Sequence, residues 1–232
     1  MKPPRARRRD QSLWNTAPKT LECKKVMAME FDQADVDAMG RQAAKSKATQ
    51  DKIIGAVISL IKESGFAAAS SSQIAKRAGI TWGAVQHHFG GKEEILEEVL
   101  HRSHTKFHES LSANRFTTGT ASRRVAKYVD AAWYHYQGEE YMATLEILLA
   151  TRGHGKASND LSISRSRQAH VELARRIFHD SSASDKTFQE VIYTVHCMLT
   201  GILIEMALEP VSFDPKAYIK RLKSTVTGML YP

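Results

Sequence analysis

From Lys45 to the C-terminus, apolar residues recur at three- and four-residue spacing, and no stretch alternates with the period of a strand. Ile53, Ile54, Val57, Ile58, Leu60 and Ile61 define an amphipathic helix over about 47–63. Ser64-Gly65 is its stop signal. Two short helices follow, about 71–78 and 82–88, with Gly79 between them and Thr81 as a cap for the second. Gly90-Gly91 breaks the chain, and a longer helix runs from Lys92 to about 112. Further helices are predicted over about 121–137, 141–149, 161–178, 188–208 and 215–229. Pro215 is placed at the first position of the last of these. The predicted fold is all-α.

Residues 1–44 carry no sustained period and are predicted to be a flexible extension. They hold Pro3, Pro4 and Pro18, then a basic cluster at Arg5, Arg7, Arg8 and Arg9. This segment reads as a basic arm for phosphates, as a tail without a role, or as the product of an upstream start, since Met27, Met29 and Met39 could each begin the chain.

Charge narrows the partners. The 232 residues carry a net +8, which favours polyanions. The excess is uneven: +6 over residues 1–26, −4 over 27–40, +2 over 41–100 and +4 over 101–232. Charge alone therefore does not mark residues 45–92 as a nucleic-acid binder. Cys23 and Cys197 are too few for a disulfide framework, so a reducing, cytoplasmic setting is expected. The run Met198–Leu208 is broken by Glu205 and is short for a bilayer, and no membrane partner is expected. No glycine-rich phosphate loop, zinc spacing or nucleotide motif occurs, so no cofactor is expected. The adjacent His87 and His88 point about 100° apart on a helix, which suits joint metal ligation poorly. Scattered His170, Glu172 and Glu205 have no catalytic spacing, so no enzyme is expected.

The informative stretch is 71–92, SSQIAKRAGITWGAVQHHFGGK. Two short helices joined by a tight glycine turn form a helix-turn-helix. Ile74, Ala75, Ile80 and Val85 are expected to pack inward, with Phe89 in the core, and Gly79 to take a positive φ. Thr81, Trp82, Ala84, Gln86 and His87 are left to project from the second helix, where flat or short side chains would admit it to a major groove.

Residues 48–96 resemble the DNA-binding domain of the tetracycline-repressor (TetR) family. The likeness lies in the Gly65-Phe66 turn, Ile74-Ala75, Ala78-Gly79-Ile80, Gly83, and His88-Phe89 followed by Lys92-Glu93-Glu94. It implies a three-helix DNA-binding head over 45–92 and a helical ligand-binding and dimerisation domain over 93–232. The DNA contacts it implies are Lys47, Ser71, Ser72, Gln73, Thr81, Trp82, Gly83, Ala84, Gln86, His87, His88 and Lys92. Trp82 and Gln86 depart from the residues common at those positions, which leaves the operator sequence open. The body is expected to hold an apolar or aromatic small molecule among Trp133, Tyr134, Tyr136, Met142, His170 and Met198, residues that could equally be core. Val191, Val195, Met198, Leu199, Ile202 and Met206, with Ile219 and Leu222, are expected to meet a second copy, unless the first of these helices is simply buried. The function implied is a repressor that binds a near-palindromic double-stranded operator as a homodimer and is released by a small molecule. The alternative is a nucleoid-associated protein without sequence preference.

Overall fold

The computed structural model describes residues 33–152, 157–209 and 213–232. Among them all regular structure is helical. The helices are α1 (Gln33–Ser64), α2 (Ser71–Ala78), α3 (Trp82–Phe89), α4 (Lys92–Leu111), α5 (Ala121–Tyr136), α6 (Glu139–Thr151), α7 (Ala157–Ile177), α8 (Asp185–Leu208) and α9 (Lys216–Leu230). Single 3-10 turns follow α1 at Phe66–Ala68 and α4 at Asn114–Phe116. The chain falls into two units, Met1–Ser46 and Lys47–Pro232.

In the first unit, α1 starts at Gln33 instead of near residue 47. That corrects the reading of 1–44 as a flexible extension for its last dozen residues. Residues 33–46 are rich in helix formers such as Ala34, Ala38, Ala43 and Ala44 but lack an apolar stripe. Propensity makes a helix there that periodicity could not reveal. The basic cluster at Arg5–Arg9 and Cys23 lie outside the described residues.

The second unit has two hydrophobic cores. The first gathers Ile53, Val57 and Ile61 of α1, Ile74 of α2, Val85 of α3, and Ile95 and Val99 of α4. Ala143 and Ile147 of α6 belong to this core as well. The second is built by α4, α5, α7, α8 and α9 around Val125, Val129, Phe178, Phe188, Leu199, Leu222 and Val226. The helices pack because each presents a stripe at three- and four-residue spacing.

On α8 that stripe is Phe188, Val191, Val195, Leu199, Ile202 and Leu203, all buried within a single protomer. Six of the eight expected dimer residues, Val191, Val195, Leu199, Ile202, Ile219 and Leu222, are therefore interior, and Met198 and Met206 pack half-buried against the same core. The exposed side of α8 instead carries Tyr193, Cys197, Gly201, Ile204 and Leu208. At 24 residues, α8 is long and apolar enough to cross a bilayer by length and composition, more than the broken run Met198–Leu208 suggested. Here it is a core helix along one side. The last helix starts one residue late, with Pro215 as its N-cap residue.

One polar stitch closes the second core at its end. Arg124, only 3% exposed, donates to Asp180, to the carbonyl of Gly119 and to the hydroxyl of Tyr231 at 3.0 Å. Tyr231 in turn donates to Asp180 at 2.6 Å, tying α5, the end of α7 and the C-terminus together. The hydrogen bonds from Tyr231 and Arg124 hold the Asp180 carboxyl down to about 2 against an ordinary 3.8. Its contribution to stability is therefore complete above about pH 4 and is lost as pH falls towards 2. Urea melts from pH 6 to pH 2 should show Asp180→Asn starting less stable and losing less than the parent over that window. Parallel losses in the two proteins would mean the stitch does not act through ionised Asp180.

Candidate nucleic-acid interface and ligand cavity

The turn between α2 and α3 is built from local chemistry. Ser70 caps α2 by accepting from the amide of Gln73 at 3.4 Å. Gly79 ends it at φ 69°, a conformation that costs glycine nothing. Its amide donates to the carbonyl of Lys76 at 3.2 Å, and that of Ile80 reaches back to Ala75 at 3.1 Å. Those paired bonds satisfy the last carbonyls of α2 and fold Ile80 onto the core. Thr81 then caps α3, its hydroxyl accepting from the amide of Ala84 at 3.2 Å. Gly90, at φ 89°, ends α3, and α4 begins directly after Gly91.

Val85 plugs the head, with Trp82 and Phe89 half-buried beside it. The spacing 82, 85, 89 is one helical stripe, so Trp82 lies on the inward side of α3. That corrects its expected outward projection. Ala84 and His88 are half-buried too, whereas Thr81, Gly83, Gln86 and His87 are exposed. Among the α2 positions, Ser72 and Gln73 are exposed and Ser71 is half-buried. Ser72 is not the cap of its helix; its hydroxyl lies 3.2 Å from that of the capping Ser70. Lys47 is exposed on α1. Lys92 opens α4 but lies over the Phe66 ring, 4.9 Å from its centroid, and burial pushes its ammonium down. The outward surface of α3 is thus small and polar. Gly83 leaves open space, and Gln86 supplies both a donor and an acceptor.

The body encloses a cavity of about 390 Å³. Of the six expected ligand residues, Tyr136 and His170 line it. Trp133, Met142 and Met198 do not; they pack half-buried against the second core. Tyr134 is 83% exposed and borders a separate groove beside Ile58 instead of this cavity. Successive positions on α5 point about 100° apart, so Tyr134 and Tyr136 cannot both face inward. The lining residues that sequence reasoning missed are spread over the chain: His104, Phe107, His135, Tyr141, Arg167 and His196. No local spacing links them. The Tyr136 hydroxyl meets Nδ1 of His196 at 2.8 Å, and Tyr141 meets the hydroxyl of Thr200 at 2.7 Å.

Helix α6 joins the cavity to the head. Tyr141, Thr144, Leu145 and Leu148 line the cavity, while Ala143 and Ile147 enter the head core. Glu146 accepts from the amide of Phe66 at 2.9 Å, directly after the turn that ends α1. Glu139 pairs with Lys62 of α1, and Glu140 with Lys106 of α4 at 2.9 Å. These exposed pairs orient more than they stabilise.

Residues 53–99 match the family described as bacterial regulatory proteins, tetR family. An uncharacterized HTH-type transcriptional regulator of Pseudomonas putida, TtgW, is 43% identical over 60 residues, 26% of this chain and 45% of that one. The HTH-type transcriptional regulator BetI of Vibrio campbellii is 31% identical over 96 residues, 40% of this chain and 47% of that one. The chain thus spans less than half the length of these curated relatives. A tetR-family transcriptional regulator from Streptomyces coelicolor shares the fold, with a TM-score of 0.63 at 16% identity, covering 79% of this chain and 80% of that one. The helix-turn-helix geometry and the matched segment coincide, so residues 53–99 carry a DNA-binding head of the tetR-family type, and the rest of the chain shares that family's fold.

Proposed function

We propose that this protein is a cytoplasmic repressor that holds a near-palindromic DNA operator as a homodimer and lets go when a small molecule enters the body cavity. The observation that carries the reading is the exposed face of α3, capped at both ends and lined by Thr81, Gly83, Gln86 and His87. A helix of that width enters a major groove, where the Gln86 amide can pair with adenine. Ser72, Gln73 and Lys47 are the exposed candidates for phosphate contact. Two copies joined through the exposed sides of α8 and α9 would present two such helices about 34–36 Å apart. Helix α6 supplies the coupling, because one of its faces meets the ligand site and the other the head. A ligand that favours a shifted α6 weakens DNA binding by its differential affinity, on the order of 1–3 kcal/mol.

Selection from random duplexes with the full-length protein tests this. The expected product is a palindrome of two half-sites one helical turn apart. The double variant Gln86→Ala/His87→Ala should fold normally and lose about 10–100-fold in affinity for the selected site. If no palindrome is enriched and bulk genomic DNA competes as well as any selected duplex, the protein binds DNA without sequence preference, and the operator reading is wrong.

A further inference from the structure

Four histidines reach one cavity from four helices: His104 on α4, His135 on α5, His170 on α7 and His196 on α8. Four imidazoles invite a metal ion. Yet among the described residues no three His, Cys, Asp or Glu side chains are placed to share one. His104 meets His170 edge-on at 6.4 Å, and aromatic rings pack among the others. Phe107 stacks on His135 with centroids 4.8 Å apart and meets His170 edge-on at 5.0 Å. Tyr136 stacks on Tyr141 at 4.0 Å. The result is a flat, π-rich wall that accepts another ring in an offset stack.

The charge lining the cavity has one sign. Arg167 is its formal cation, and no Asp or Glu lines it among the described residues. The Arg167 guanidinium lies over the Tyr193 ring at 5.1 Å. It is near enough to His196 to disfavour a second positive charge there. The carboxylate facing His135 is Glu140, which is already paired with Lys106.

We propose that the cavity takes a small planar aromatic acid, with its ring against the Phe107–Tyr136–Tyr141 wall and its carboxylate towards Arg167 and the adjacent imidazoles. This rests on reading the cavity as the effector site. A cationic ligand would enter with no counter-charge and with Arg167 opposed to it. A neutral ligand would use the wall but leave Arg167 without gain. An acid gains one charge-assisted hydrogen bond at the rim and converts a neutral histidine into a second donor.

That second gain makes binding depend on pH. Burial lowers the pKa of all four histidines, His135 and His170 to about 4. They are therefore uncharged in the empty site at neutral pH. Each faces other titratable groups: His135 faces Glu140, His104 and Lys106, and His170 faces His104, His108, His135 and His196. His104 faces His101 and His196, and His196 faces Arg167. Repulsion among neighbouring imidazoles means that a proton on one opposes a proton on the next. A bound carboxylate raises the pKa of the nearest imidazole, so binding takes up a fraction of a proton and tightens as pH falls from 8 to 6.

Titration calorimetry on the full chain tests the class. The probes are benzoate and 2-naphthoate, the matching carboxamides, and the matching arylmethylamines, each in two buffers of different ionisation enthalpy. The better acid should bind about tenfold more tightly than its amide or amine, the order of one charge-assisted hydrogen bond, and should take up protons. Arg167 is exposed, so Arg167→Met should fold normally, remove most of the acid's advantage and leave amide binding unchanged. Equal or tighter binding of an amide or amine overturns the acid class while the cavity stands as a ligand site. Heat from none of the six, or acid binding unchanged by filling the cavity with Thr144→Trp, overturns both.

Discussion

Glutamate at both Ile204 and Leu208 should yield a folded monomer that no longer holds an operator. The two side chains are 41% and 72% exposed on the outer side of α8, in line with Tyr193, Cys197 and Gly201. Beside them α9 exposes Tyr218, Arg221 and Gly228. A methyl group built on Gly201 or Gly228 would meet nothing within 4 Å, so both helices offer flat ground for a second backbone. Because the replaced side chains already face water, unfolding free energy should change by only about 0.5 kcal/mol. On the proposed dimer, what disappears is the link between two heads. Each would bind its half-site alone, and operator affinity should drop by about 10²–10⁴-fold with the loss of effective concentration. Sedimentation velocity, urea melts and gel shifts on one preparation separate these effects. A variant that sediments as a dimer would place the interface elsewhere.

The largest stability loss is expected from Phe178→Ala, about 3–5 kcal/mol in urea denaturation. Phe178 follows directly on α7 and lies inside the second core, essentially unexposed, with its ring edge-on to Tyr128 at 5.6 Å. Tyr128 is itself fully buried, and burial pushes its hydroxyl far up. Truncation leaves a void in a close-packed core that the surrounding side chains cannot close without moving backbone. A cost below about 1 kcal/mol would mean that this core repacks freely and that its crossing helices are not fixed as described.

The head was more legible in the sequence than the body, for a physical reason. Ile74, Gly79, Thr81 and Val85 act through neighbours three or four residues away, so their roles are written in local spacing. Trp82 reads as outward, one of the residues left once Ile80 and Val85 are turned inward, whereas its spacing to Val85 and Phe89 puts it against the core. Helix α8 misled in another way. It is apolar around most of its circumference, so periodicity could not separate Val195 and Leu199 from Tyr193 and Ile204. Only the partners α5, α7 and α9 decide which side is interior. The cavity was the least legible feature. His104, His135, His170 and His196 are about thirty residues apart, and each alone is an ordinary half-polar residue. Their meeting is a product of tertiary packing.

The place of α6 has a consequence for how the molecule can be dissected. The head does not seal itself: Ala143 and Ile147 complete its interior, and Glu146 occupies the amide of Phe66. A fragment stopping at Leu111 would open that interior to water and orphan that amide. Transplanting this head onto another regulator therefore means carrying α6 along, or redesigning the surface that α6 covers.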